Sequence, residues 1–326
     1  MEVYAAQCSI TQGMDIIAFL EQEQVLEKVK GFNEIKSGAS GAKVYEAETI
    51  NGRFIIKHIQ KDGCKSDDNW ASFEREWRFY SICKDLKISF IPDLVFMSRE
   101  ENKDIIMVFN SYERIPHKQW LPRMQLKAMD LCARLNSIDT GFAQKIGIEF
   151  KKTEADKESL DNAYQEWQYV LSSYGSRFGG NVLKHIYENF DKICDIINAP
   201  PYNICHGDFQ PDNILLNFNN GKGGLVLCDW QNISIGKGIG DISFFLSRSK
   251  DFDIEIDEDA LISFYCERLS HYTEKTIEKA DMYRIKNAST VLASFIYWGF
   301  YLAGTDGERV ANIYNEMAKS YLSLNL

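Results

Sequence analysis

The stretch Ile204–Leu216 reads Ile-Cys-His-Gly-Asp-Phe-Gln-Pro-Asp-Asn-Ile-Leu-Leu and gathers a histidine, two aspartates and an asparagine between His206 and Asn213. Shortly after it, Leu225-Val226-Leu227-Cys228-Asp229-Trp230-Gln231 is an apolar segment that ends in a carboxylate. The pattern predicts a loop carrying Asp208 and Asn213, a short hairpin, and a strand that returns Asp229 beside them. Phosphoryl transfer needs such a set: positioned groups and neutralised charge, with little covalent work from the protein. One carboxylate, Asp208, would orient and deprotonate an attacking hydroxyl. Asn213 and Asp229 would hold Mg²⁺, a hard cation that prefers oxygen, on the nucleotide phosphates. His206 reads as a residue that holds the loop by hydrogen bonds rather than as the base. A nucleophilic thiol at Cys205 would need a partnered base and an oxyanion site, and only adjacency to His206 speaks for it.

Earlier in the chain, Glu34–Ala47 reads as strand, small-residue loop and strand, with Gly38, Ser40 and Gly41 in the loop. Glycines let a backbone approach phosphates closely, although Gly–Ser turns are equally at home in plain hairpins. Arg53–Ile59 then sets Lys57 in a β-branched run, where burial without a partner would be costly and alternation would also allow a solvent-facing position. A helix is predicted over 69–84, containing Phe73-Glu74-Arg75-Glu76-Trp77-Arg78-Phe79-Tyr80. Strands around 93–97 and 104–109 follow, and the second runs on into Asn110–Glu113.

The string His-Gly-Asp-x4-Asn, the apolar strand ending in Asp229-Trp230-Gln231, and Ser37-Gly38-Ala39-Ser40-Gly41-Ala42-x-Val44-Tyr45 together resemble the aminoglycoside phosphotransferase and choline kinase-like family. These are small-molecule kinases with the protein-kinase fold. The resemblance spans residues 37–241 and implies an α+β, bilobal, protein-kinase-like fold with a β-rich N-terminal lobe and a larger helical C-terminal lobe. It implies that Lys57 binds the α- and β-phosphates of ATP (or GTP) and that Glu76, within Phe73-x-x-Glu76-x-x-Phe79-Tyr80, orients it, with Glu74 as the competing acid. Gly38, Ser40 and Gly41 would close over the phosphates, and the hinge backbone near Asn110 would meet the purine. Asp208 would be the base, Asn213 and Asp229 the Mg²⁺ ligands, and Asp241 a brace for the catalytic loop, which a plain helix N-cap would also explain. The chain departs from protein kinases at Gly207 and at Trp230-Gln231, and Gly240-Asp241 follows Asp229 too soon for an activation segment.

The remaining sequence predicts supporting elements. A helix over 14–30 ending at Gly31 precedes the first strand. After Pro116 and Pro122 come a helix over 123–137, a loop over 142–150, and helices over 154–174 and 181–198. Pro200-Pro201 turns the chain into the catalytic stretch, and 257–270 and 275–323 read as helical. The uncharged segment Ala288–Gly304 reads as a buried helix, with Tyr297, Trp298 and Tyr301 in the core. An acidic run, Asp251–Ala260, resembles the rim with which aminoglycoside kinases hold polyamines, and a solvated helix start is the plainer alternative. The expected division is a nucleotide-binding lobe over 1–112 and a catalytic, substrate-binding lobe over 113–326.

At 326 residues, with 45% hydrophobic and 26% charged residues, the chain is an ordinary globular protein with ample core. Its net charge of −10 argues against a nucleic-acid partner and suits a cationic substrate as well as plain solubility. The eight cysteines show no CxxC spacing and predict reduced, buried thiols. The N-terminus shows no signal-peptide pattern, so a cytoplasmic protein with no membrane partner is expected. The functional expectation is an ATP-dependent phosphotransferase acting on a small-molecule hydroxyl, an aminoglycoside or related antibiotic being one acceptor. A metabolite such as choline, ethanolamine, homoserine or a sugar is the alternative acceptor. A nucleotide-binding regulatory pseudokinase is the alternative of another class.

Overall fold

Segments rich in β-branched and aromatic residues build the front of the chain. β1 (Gly31–Ile35), β2 (Lys43–Thr49), β3 (Gly52–Gln60), β4 (Leu94–Arg99) and β5 (Asp104–Asn110) form an antiparallel sheet in the order β1-β2-β3-β5-β4. The computed structural model describes residues 16–35, 41–86, 88–99, 104–173, 180–218, 224–302, 304 and 306–326. β5 is buried on both faces, and its alternation separates two cores. Ile106 and Val108 pack with Ile56 and with Phe19 and Leu20 of α1 (Ile16–Gln22). Ile105 and Met107 pack on the opposite face with Ile59 and with Phe73 and Phe79 of α2 (Asp67–Leu86). The register sets Lys57 opposite Val44 on one side and Met107 on the other. A slip of one residue would turn its side chain to the wrong face.

The chain leaves this sheet at Asn110 and joins a second one at β6 (Glu113–Arg114). Helices α3 (Pro122–Asn136), α4 (Gly141–Lys145), α5 (Lys157–Ser173), α6 (Gly180–Glu188) and α7 (Phe190–Asn198) lead to β7 (Asn203–Cys205). The hairpin of β8 (Ile214–Asn217) and β9 (Gly224–Leu227) pairs with β6, while β10 (Ser234–Gly236) pairs with β7. α8 (Ile239–Asp251), α9 (Glu258–Thr273), α10 (Lys279–Ala293), α11 (Gly299–Leu302) and α12 (Gly307–Leu322) complete a helical back lobe. The result is the mixed α+β, two-lobed arrangement expected. Among the described residues no helix is long and apolar enough to cross a membrane. The cysteines described are all free thiols, and Cys8 lies outside the described residues.

Several local expectations need correction. The N-terminal helix ends at Gln22 rather than running to 30, because Gln24 and Lys28 take positive φ values of 57° and 52° and Gly31 already belongs to β1. The span 142–150 contains the short helix α4, and the helix read over 181–198 breaks at Asn189. The segment from Ala288 is not a uniformly buried helix. Between α10 and α11, Ser294–Trp298 forms a π-helical turn whose Ser294 and Phe295 carbonyls both accept from the Trp167 indole at 3.1 Å. A wider turn shifts the helical phase. Phe295 is buried, but Tyr297 and Tyr301 are 61% and 68% exposed rather than in the core.

The lobes meet over aromatic packing centred on Phe79, which stacks on Trp230 with centroids 4.1 Å apart and planes at 19°, and meets Phe142 edge-on at 6.0 Å. Phe79→Ala should lower unfolding free energy in chemical denaturation by about 3–5 kcal/mol, the usual cost of deleting a buried ring. A loss below about 1 kcal/mol, typical of a surface change, would contradict this placement.

Candidate active site

Lys57 sits on the α2 face of β3 with its side chain only 12% exposed. Its Nζ lies 2.7 Å from Glu76 Oε2 and 2.7 Å from Asp229 Oδ1, and 5.3 Å from the centre of the Phe73 ring. α2 delivers Glu76 because its face repeats at three and four residues, so Phe73, Glu76, Phe79 and Tyr80 point together toward the sheet and the second lobe. Glu74 points elsewhere and pairs with Arg99. The same helix grips the turn after β9. Arg75 Nη1 donates to the Gln231 carbonyl at 2.9 Å, and Glu76 Oε1 accepts from Trp230 N at 3.2 Å. Trp230 also donates its indole N–H to the Leu227 carbonyl at 2.7 Å and lies edge-on to His206 at 4.8 Å.

The loop after β7 is held from three sides. Asp241, in the first turn of α8, accepts from His206 N and from Gly207 N, each at 2.9 Å. It is therefore a brace for the loop and not the N-cap of its own helix, a position that Gly238 fills. Gly207 has φ +77°, and a Cβ there would lie 2.3 Å from the Asn232 carbonyl oxygen, so the loop closes only with glycine at this point. His206 Nε2 bonds the Cys228 carbonyl at 3.0 Å, while Nδ1 accepts from Asp208 N at 3.2 Å. Those partners fix the neutral tautomer with the proton on Nε2, which suits a structural histidine. Burial pushes its imidazole down to about 4. Cys205 is buried and its thiol is pushed well up by that burial, which disfavours a thiolate nucleophile.

The three oxygen-bearing side chains converge. Asn213 Nδ2 donates to the Asp208 carbonyl and to Asp208 Oδ2, each at 2.9 Å, which leaves the amide oxygen as the atom not taken up by Asp208. Asn213 O accepts from Cys228 N at 3.0 Å, and the next residue is Asp229. Asp229 has φ 68° and ψ 65°, a left-handed conformation that is uncommon outside glycine and frequent at constrained functional turns.

Electrostatics follow from this packing. Burial alone would depress the Lys57 ammonium, but Asp229 and Glu76 outweigh it and hold the group above its ordinary range. Burial opposes the charge on Asp229 as well, and Lys57 overrides it, keeping the carboxyl below its usual range. Burial raises Glu76 against the pull of Lys57, and burial raises Asp208 against the donors of Asn213 and Gln210. Two carboxylates thus share one ammonium, with a third carboxylate beside Asn213. That excess of negative charge and hard oxygen fits a divalent cation. Among the described residues no three His, Cys, Asp or Glu side chains form a closed metal cage. Mg²⁺ is commonly held by one or two protein oxygens plus substrate phosphates, so this donor set fits it.

The structure brings together Lys57, Glu76, Asp208, Asn213 and Asp229. Of the small-residue loop, Gly38 and Ser40 lie outside the described residues, and Gly41 has φ +87° at the entry to β2. At the hinge, the Asn110 N–H donates to the Asp93 carbonyl at 3.1 Å and the Ser111 N–H to the Arg53 carbonyl at 3.0 Å, so these two donors are taken. Both groups serve the lobe's own bonding. Asn136 was not singled out from sequence, yet it is fully engaged: its amide donates to the Ile204 carbonyl at 2.8 Å and its oxygen accepts from Tyr265 OH at 2.9 Å. Gln210 and Arg248 were also missed.

The model of the ecdysteroid kinase-like family matches residues 134–278, a span containing the whole loop and Asp241. The ADP-bound aminoglycoside phosphotransferase APH(2'')-Ib superposes with a TM-score of 0.52 at 17% identity, covering 95% of this chain and 98% of its own. Choline kinase from Cryptosporidium parvum Iowa II superposes with a TM-score of 0.53 at 13% identity, covering 95% of this chain and 94% of its own. Plasmodium vivax ethanolamine kinase superposes with a TM-score of 0.54 at 12% identity, covering 97% and 90%. The chain has the protein-kinase-like fold of the aminoglycoside phosphotransferase and choline kinase-like family of small-molecule kinases. No curated protein matches it in sequence. Within that fold, Glu76 and Lys57 come from the sheet lobe, and Asp208, Asn213 and Asp229 from the start of the helical lobe.

Burial pushes Asp241 up to about 6 although two backbone N–H groups pull it down. From an ordinary 3.8 this means the folded state binds the proton more tightly, so its contribution to stability falls as pH rises through 4–6. His206, lowered from 6.5 to about 4, contributes the opposite slope, with stability lost as pH falls. The two displacements run in opposite directions, so their effects on stability oppose one another over pH 4–6. Asp241→Asn should leave the His206 slope uncovered, so the melting temperature should fall more steeply from pH 6.5 to 4 than in the natural protein. Parallel melting profiles would contradict the assignment.

Proposed function

We propose that the chain is a Mg²⁺-dependent phosphotransferase that moves the γ-phosphoryl group of ATP to a hydroxyl of a small molecule. The observation that carries this reading is the Lys57 ammonium bonded at 2.7 Å to both Glu76 and Asp229, next to the linked pair Asp208 and Asn213. Residues 1–112 would form the nucleotide lobe and 113–326 the catalytic lobe. Lys57, held by Glu76, would bind the α- and β-phosphates, with Gly38, Ser40 and Gly41 beside them. The purine would meet hinge backbone other than the Asn110 and Ser111 N–H groups. Asp229 and Asn213 would hold Mg²⁺, which when bound neutralises charge on the transferred group. Asp208 would orient the acceptor hydroxyl and take its proton as the new O–P bond forms. GTP is the alternative donor.

For the acceptor, a neutral hydroxyl compound fits better than a polycation. The acidic run is largely engaged within the protein: Asp251 pairs with Arg248 at 2.7 Å, Asp257 caps α9, Glu258 meets Lys286 at 2.9 Å and Asp259 meets Lys279 at 2.6 Å. Arg248 also puts a positive charge near Asp208. The matched family is named for ecdysteroid kinases, so a neutral steroid alcohol belongs in a screen beside aminoglycosides, choline, ethanolamine, homoserine and sugars.

An ATP-consumption screen over those acceptors should find turnover above the water background for a neutral alcohol. Asp208→Ala should reduce that turnover by a factor of about a hundred or more while nucleotide still protects the protein against thermal unfolding. Undiminished turnover in Asp208→Ala would refute its role. Nucleotide binding with no acceptor turned over would favour a regulatory nucleotide-binding protein.

A further inference from the structure

The catalytic loop carries a second anchor that the phosphoryl-transfer machinery does not use. Gln210 follows Asp208 by two residues, and its Nε2 donates to Asp208 Oδ1 at 2.9 Å. Its Oε1 accepts from Arg248 Nε on α8 at 3.1 Å. The amide sits between a group that can only donate and one that, when ionised, can only accept. A guanidinium has no acceptor, so the Gln210 oxygen must face Arg248 and the NH2 must face Asp208. Turned the other way, the amide would set an oxygen against a carboxylate and N–H against N–H.

Arg248 is itself held. Its Nη1 donates to Asp251 Oδ2 at 2.7 Å, and its guanidinium lies 5.1 Å from the centre of the Phe252 ring. His117 stacks on the same ring with centroids 4.0 Å apart, and its Nε2 reaches Asp212 Oδ1 at 2.9 Å. The chain of contacts thus starts at Asp208 and returns to the same loop at Asp212. With Asn213 Nδ2 on Oδ2 and Gln210 Nε2 on Oδ1, each oxygen of the Asp208 carboxylate receives one amide N–H, and the plane of the carboxylate is set.

We propose that Arg248 is a positioning residue that fixes the Gln210 amide and, through it, the orientation of the Asp208 carboxylate. The inference rests on Asp208 being the base. Orientation of a base toward its hydroxyl is worth large factors, because a misplaced group reaches the reacting geometry only rarely. Without Arg248 the Asp208 carboxylate still selects the NH2 side of the amide, but nothing holds the far end of the Gln210 side chain, so the contact to Asp208 is made only part of the time. Gln210→Leu removes the same contact directly. The two substitutions should therefore not compound, since both break a single line of contacts.

The test uses the full chain with Mg²⁺·ATP as the probe and water as the acceptor, reading slow ATP hydrolysis. Arg248→Met should lower kcat by about ten- to a hundredfold with KM for ATP unchanged. Gln210→Leu should lower it comparably, and the double variant should be no slower than the slower single one. A natural kcat in Arg248→Met, or losses that multiply in the double variant, would overturn the proposal. Asp208→Asn hydrolysing at the natural rate would instead sink the base assignment, a separate result. Crystal structures decide the geometry independently of rate. In Arg248→Met, Gln210 should lie within 3.5 Å of Asp208 Oδ1 in only part of the molecules while the Asn213 contact persists; an unchanged Gln210 contact would overturn the relay. If Arg248→Met fails to fold, Gln210→Leu carries the test, and a natural kcat in it would overturn the proposal. Arg248→Lys, which keeps a donor without an acceptor, should lose less than Gln210→Leu, and a loss as large would overturn the claim that donation to the Gln210 oxygen is what matters.

Discussion

An ammonium taken out of water must be met by opposite charge or give up its proton, and Lys57 is met twice, by one carboxylate from each lobe. That arrangement ties the sheet to the helical lobe through charge as well as through packing. Removing Lys57 would leave both carboxylates uncompensated, and breaking such a buried arrangement commonly costs about 3–5 kcal/mol. The pair is also incomplete as a neutral unit, since Glu76 and Asp229 together carry more charge than Lys57 returns. The same imbalance that makes the site expensive to build without a partner makes it receptive to a cation carrying phosphates.

Around this centre, backbone constraints do as much as side chains. Trp230 binds Glu76 through its main-chain N–H and Phe79 through its ring, so the turn after β9 cannot move without moving α2. Gly207 lets the loop pass against Asn232, and Asp241 then captures the two N–H groups that this passage exposes. Asp229 is left in a strained conformation with its carboxylate directed to Lys57. Each constraint alone is ordinary. Together they fix three oxygen-bearing side chains to a lysine more than 150 residues away in sequence.

Much of this was legible because the chemistry requires particular residue types close together. His206, Asp208 and Asn213 lie within one loop, and Glu76 shares its helical face with Phe73, Phe79 and Tyr80 whereas Glu74 does not. What stayed hidden depends on partners distant in the chain or on backbone angles that composition does not encode. Asn136 bonds Ile204 from a helix that ends 68 residues earlier, and Arg248 reaches Gln210 across 38. The end of α1 is decided by positive φ at Gln24 and Lys28, residue types that favour helix. The exposure of Tyr297 and Tyr301 follows from one widened turn that shifts the helical phase. For Asp241 the sequence left brace and helix cap both open, and its acceptors serve the catalytic loop.

The central proposal is that Asp229 would hold the Mg²⁺ of a bound nucleotide. Calorimetric titration of a non-hydrolysable ATP analogue, with and without Mg²⁺, into the natural chain and Asp229→Asn tests it most directly. The account predicts that Mg²⁺ strengthens binding clearly in the natural chain and not in Asp229→Asn. Equal affinity with and without Mg²⁺ in the natural chain would contradict it.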